Sequence, residues 1–195
     1  MAVLLRATKG SALTHTELDA NFTSQSIGEP KGISGADANE VYIADGAGSG
    51  AWVAGAAYGG IRYDEIGTGT TITTPTSYTL INTAGTSEGL KEFTANSLGR
   101  LTYTGTPARH IHMVWDTTFK HSAGGGVDVF FQVYKNGAAT GAIKPQEATN
   151  SGYSAISLHY NGPIVTNDYF EIFVKTGSGS VVIHSDYMFI LGVPT

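Results

Sequence analysis

A chain of 195 residues, 41% hydrophobic and only 14% charged, has room for one sizeable core and a short appendage. Charged residues usually reach about a quarter of a soluble chain and Gly about 7%, so 26 Gly and so few charges argue against a helical protein. A net charge of -5 with 11 Lys and Arg spread along the chain supplies no basic stripe for phosphates, and no nucleic-acid partner is expected. Without Cys there is no disulfide framework, thiolate metal site or Cys nucleophile. The apolar patch within Met1 to Arg6 is too short for a signal segment or a membrane span, so no membrane is expected either.

Three zones follow one another. In the first, residues 1–25, Thr14-His15-Thr16-Glu17 reads as a capping box, with Leu13 and Leu18 at the flanking staple positions. Phe22 falls four residues after Leu18, on the same face of a helix of two or three turns. So short a helix is unstable alone in water and needs a surface to dock on, either its own domain or a larger assembly.

The second zone, residues 26–60, is dominated by Gly, Ala and Ser and reads as a connector, because such composition buries too little apolar area for a core. Within it, Val41-Tyr42-Ile43 and Trp52-Val53 flank an Asp45-Gly46 turn signal and predict a small hairpin that needs covering strands. Gly48-Ser49-Gly50 is not a nucleotide fingerprint, since no buried strand precedes it and no helix pattern follows.

The third zone, residues 61–195, alternates apolar and polar residues in short runs broken by turn signals. Leu101 and Tyr103 share a face within Gly99 to Gly105. Val127, Val129, Phe131 and Val133 alternate with Asp128, Phe130, Gln132 and Tyr134, up to the tight-turn signal Lys135-Asn136-Gly137. Phe170, Ile172 and Val174 alternate with Tyr169, Glu171, Phe173 and Lys175. Gly177-Ser178-Gly179 then turns the chain into a strand-like run from Val181 to Leu191. Many short strands without helices between them predict an all-β fold, an antiparallel sandwich or jelly roll.

The second face of those strands is unusual. A solvated sheet face should be polar, yet Phe130, Tyr134, Tyr169 and Phe173 fall on outward positions. Burial between identical subunits explains paired rings economically; a loop of the same chain lying over them is the alternative.

Lys9 to Phe22 resembles the N-terminal segment of many tailed-bacteriophage fibre and appendage proteins. Glu40-Val41-Tyr42-Ile43-Ala44-Asp45-Gly46-Ala47-Gly48-Ser49-Gly50-Ala51-Trp52 is similar to a connector that recurs in them. The stretches Gly99 to Gly105, Val129 to Gly137 and Asp168 to Ile172 resemble their jelly-roll tip domains, which share their shape with C1q and tumour-necrosis-factor heads. The resemblance implies a homotrimeric virion protein made in the host bacterium and displayed on the virion surface. Its N-terminal segment would be fixed to capsid or tail proteins through Leu13, Leu18 and Phe22. Its stem would be thin, and its head would meet its copies through Phe130, Tyr134, Tyr169 and Phe173. Almost no shaft is present, which suits a short capsid fibre or decoration protein; a host-recognising tail component that binds a receptor or surface glycan is the alternative.

Chemistry is sparse. His110-Ile111-His112 puts two imidazoles on one strand face, but the run continues into Met113-Val114-Trp115 as an ordinary sheet strand, and no metal or other cofactor is expected. His121, His159 and His184 are isolated in sequence. Glycoside hydrolysis needs two carboxylates facing one sugar, whereas Asp64 and Glu65, neighbours on a strand, point to opposite sides. No nucleophile-elbow motif is present, and no enzymatic activity is expected. The loops His121 to Gly126 and Asn150 to Tyr153 present polar groups and Tyr153, which serve equally as turns or as a glycan contact.

Overall fold

The computed structural model describes residues 40–44, 50–64, 69–73, 76–122 and 125–194. The expected helix and its Leu13, Leu18 and Phe22 lie outside the described residues. Among the described residues every regular element is a strand. The chain divides between Trp52 and Val53 into two units. The two apolar runs around Val41 and Trp52 form β1 (Glu40–Ala44) and β2 (Gly50–Ala54), which pair in a sheet of their own.

The second unit carries β3 (Ala57–Asp64), β4 (Thr70–Ile72), β5 (Thr79–Leu80), β6 (Thr86–Lys91), β7 (Phe93–Ala95), β8 (Leu101–Tyr103), β9 (Arg109–His121), β10 (Val127–Lys135), β11 (Ala138–Ala148), β12 (Ser154–Ile164), β13 (Tyr169–Thr176) and β14 (Val181–Pro194). They form two six-stranded antiparallel sheets. One runs β11-β10-β13-β8-β7, with β5 paired to β13; the other runs β12-β9-β14-β3-β6, with β4 paired to β14. The chain passes from one sheet to the other between β4 and β5, β5 and β6, β6 and β7, β8 and β9, β9 and β10, β11 and β12, β12 and β13, and β13 and β14. The first long strand, β3, lies beside the last, β14. This weave is a jelly-roll sandwich.

Alternation explains the core. Val129, Phe131 and Val133 of β10 and Phe170, Ile172 and Val174 of β13 are buried, facing Ile111, Met113, Trp115 and Phe119 of β9. Phe131 joins the layers, with its ring centroid 5.2 Å from Trp115 and 4.8 Å from Phe119. The Lys135-Asn136-Gly137 signal becomes the β10–β11 turn: Asn136 and Gly137 have φ of 53° and 75°, and Lys135 pairs with Ala138. Two successive positive φ values match the right-handed twist of the flanking strands, and Asn-Gly tolerates them best.

In β14 the register shifts between Ile183 and Ser185. Val181 and Ile183 face the core before this bulge, and Asp186, Met188 and Ile190 face it afterwards. One extra residue flips which side chains point outward. Tyr187, Phe189, Leu191 and Val193 thereby fall on the outer face of the sheet.

Candidate functional site

The four rings expected at an interface all lie on the outer face of the β10–β13 sheet, half-buried. Tyr134 and Phe173 stack with ring centroids 3.9 Å apart. Tyr169 shares the face under the Arg100 guanidinium, 4.1 Å from its ring, and Arg100 donates to Glu171 Oε1 at 2.7 and 2.9 Å. Phe130 stands opposite Pro145 and Lys175. The same chain covers part of this patch. Leu80 of β5 pairs with Phe173, and the Tyr78 ring lies 6.3 Å from that of Tyr134. Desolvation there, with the Tyr134 phenol beside it, raises the Tyr78 pKa above its ordinary value.

The outer face of the other sheet is barer. Pairing across β3, β14, β9 and β12 sets its side chains in rows: Arg62, Tyr187, Asp116, Ser157; then Gly60, Phe189, Val114, His159; then Tyr58, Leu191, His112, Asn161. Tyr187 and Phe189 stack at an interplanar angle of 16°. Gly60 lies beside them: a Cβ there would lie 2.9 Å from the Glu88 carbonyl oxygen, 3.3 Å from the Tyr187 hydroxyl and 3.5 Å from Phe189 Cδ2. Tyr58, Leu191 and Val193 remain 38%, 39% and 48% exposed. This apolar strip escapes a reading of the sequence because the β14 bulge decides which residues point outward.

Toward the other end of the face the lining turns polar. An open groove of about 610 Å³ is bounded by Arg62, Asp64, Asp116, Ser157 and Tyr187, with Asp186 beneath. Thr118 and Ser185 share a hydroxyl hydrogen bond of 2.7 Å along it. Asp186 points into the core and accepts a 2.7 Å hydrogen bond from the Thr83 hydroxyl. Burial pushes its carboxyl up to about 6, against the opposing effect of that bond. Asp64 and Asp116 both lie at exposed positions. Glu65 lies outside the described residues.

The histidines separate into surface and core. His110 and His112 point outward on β9, as their spacing predicts, and Ile111 between them is buried. His159, isolated in sequence, stacks on His112 with ring centroids 5.5 Å apart. His121 is buried with its Nε2 2.6 Å from the Ser178 carbonyl. His184 is buried with its ring edge-on to Tyr153, 4.9 Å away, and the Lys120 ammonium lies 4.1 Å from the centre of the Tyr153 ring. Among the described residues, no group of three or more His, Cys, Asp or Glu side chains is placed to hold a metal.

The strand order thus defines the protein as an all-β jelly-roll sandwich with apolar side chains on both outer faces. No known protein family matches the sequence, and no curated protein does. Among solved structures it is similar to the PRD1 vertex protein P5, at 11% identity and a TM-score of 0.47, over 71% of this chain and 97% of that one. It is also similar to murine APRIL, at 9% identity and a TM-score of 0.40, over 70% of this chain and 99% of that one. Likenesses of this size carry nothing about role; the fold assignment rests on strand order and register.

Proposed function

We propose that the chain is a non-enzymatic structural protein of a tailed-phage virion, whose jelly-roll heads close on one another as a homotrimer while the N-terminal segment anchors them to capsid or tail proteins. The observation that supports assembly is the strip of Tyr58, Tyr187, Phe189, Leu191 and Val193 on an outer sheet face, continuous with Val114. A lone sandwich gains nothing from apolar side chains placed there, whereas burial between copies removes them from water at about 25 cal/mol per Å². The rings of Phe130, Tyr134, Tyr169 and Phe173 are a second candidate contact, already part-covered by Tyr78 and Leu80. The virion assignment rests on the resemblance of Lys9 to Phe22 and of the Gly-rich connector to phage appendage segments.

Two experiments separate these readings. Light scattering on the full chain is expected to give three times the 20.4 kDa chain mass. Removing residues 1–25 is expected to leave that mass unchanged and to abolish incorporation into particles. Normal incorporation of the shortened chain would overturn the anchor assignment, and a monomeric wild type would overturn the assembly.

A further inference from the structure

We propose that His112 and His159 form a chelating pair for a late first-row divalent cation of the zinc or copper kind on the outer face of β9 and β12. The two residues are 47 positions apart in sequence and diagonal neighbours in the sheet, because His112 pairs with Asn161 and His159 with Val114. Their rings are nearly parallel, 18° between planes, and His112 Nε2 lies 3.2 Å from His159 Nδ1. Two nitrogens each about 2.0–2.1 Å from one tetrahedral zinc ion are about 3.3–3.4 Å apart. The facing atoms therefore already stand near the bite of a chelate, held by two strands whose register is fixed over eleven consecutive pairs.

The outer contact of His159 points the same way. Its Nε2 lies 3.3 Å from Ser157 Oγ. A proton held on Nε2 by that hydroxyl leaves Nδ1 with its lone pair directed at His112, and a second-shell bond of this kind is how ligating imidazoles are oriented. Two facing nitrogens cannot both present lone pairs at 3.2 Å with nothing between them. Either a proton on His112 Nε2 lies between them, or both lone pairs turn toward a cation about 1.3 Å to one side of the line that joins them. Imidazole favours zinc, copper and nickel over calcium and magnesium, which take oxygen ligands. Water completes the coordination in a single chain, and groups of a neighbouring copy can replace it where copies close on this face. The pair belongs to one chain, so its binding does not depend on the assembly proposed above.

The test is calorimetric titration of the full-length protein with zinc chloride, alongside His112→Gln, His159→Gln and His110→Gln, with the mass of each protein measured in the same buffer. All three side chains are exposed, so the variants are expected to fold, which circular dichroism checks. The expected result is one saturable site per chain, with affinity reduced at least on the order of tenfold by either His112→Gln or His159→Gln and little changed by His110→Gln. Zinc should also protect His112 and His159 together from diethyl pyrocarbonate, read by mass spectrometry. Binding that survives His159→Gln but falls with His110→Gln would assign the cation to the along-strand pair and overturn the proposal. So would the absence of saturable binding in the wild type, which would leave the contact as a hydrogen bond alone. Zinc affinity unchanged in both His112→Gln and His159→Gln would overturn it as well, whatever the mass of the variants.

Discussion

Asp186 shows how one buried carboxylate makes stability depend on pH. Its folded pKa of about 6 lies above the ordinary 3.8, so the folded state holds its proton more tightly. Stability from this group is fully present below about 3.8 and declines as pH rises to about 6, after which the buried charge costs its full amount. At about 1.4 kcal/mol per pH unit the loss is at most about 3 kcal/mol. Asp186→Asn keeps an acceptor for the Thr83 hydroxyl without the charge. Urea unfolding is expected to find it about 2 kcal/mol more stable than the wild type at pH 7.5, with the difference closing near pH 4. Asp168 works in the opposite sense. Desolvation pushes it up, yet hydrogen bonds from Lys135, Asn136 and the Val165 N–H hold it below its ordinary value, so its contribution disappears as pH falls. Arg109 is 0% exposed, and its guanidinium donates to Glu92 Oε2, the Tyr103 hydroxyl and the Gly55 carbonyl at 2.6–3.1 Å. Arg109→Ala removes the buried partner of Glu92 and the donor to the Gly55 carbonyl, and is expected to lower the unfolding free energy by about 3 kcal/mol in denaturant titrations.

Strand-level legibility depends on whether a strand stays in phase. β10 and β13 do so across the sheet, and alternation alone identifies their buried residues; the Asn136-Gly137 turn then fixes the β10–β11 hairpin. Because Gly137 has φ of 75°, Gly137→Ala is expected to cost about 1 kcal/mol, measured as a lower thermal midpoint with unchanged oligomer mass. β14 loses phase at its bulge, so the alternation from Val181 does not carry through to Tyr187 and Phe189. Nor does periodicity reveal that β5, only two residues long, pairs with β13 and sets Leu80 beside Phe173. His159 and His112 are likewise brought together by the β9–β12 register rather than by any spacing in the chain.

At the scale of the molecule the question is which outer face copies share. Phe189→Glu and Phe173→Glu place a charge on opposite faces of the sandwich. A charge buried in an interface without a partner costs several kcal/mol. Phe189→Glu is expected to reduce the mass to that of a single chain in sedimentation or light scattering, and Phe173→Glu to leave it unchanged, because Tyr134 of the same chain already stacks on that ring. The reverse pattern would move the contact to the β10–β13 face.

Composition and alternation by themselves determined an all-β protein, the buried faces of β10 and β13 and the Asn136-Gly137 turn, because each of these is decided by neighbours within a few residues. The apolar strip on β14, the partial covering of Tyr134 and Phe173, the buried Asp186 and the pairing of His112 with His159 were decided only by the tertiary structure. Each depends on a bulge or a register between distant strands, and the free energy that selects a register belongs to the packed sandwich as a whole.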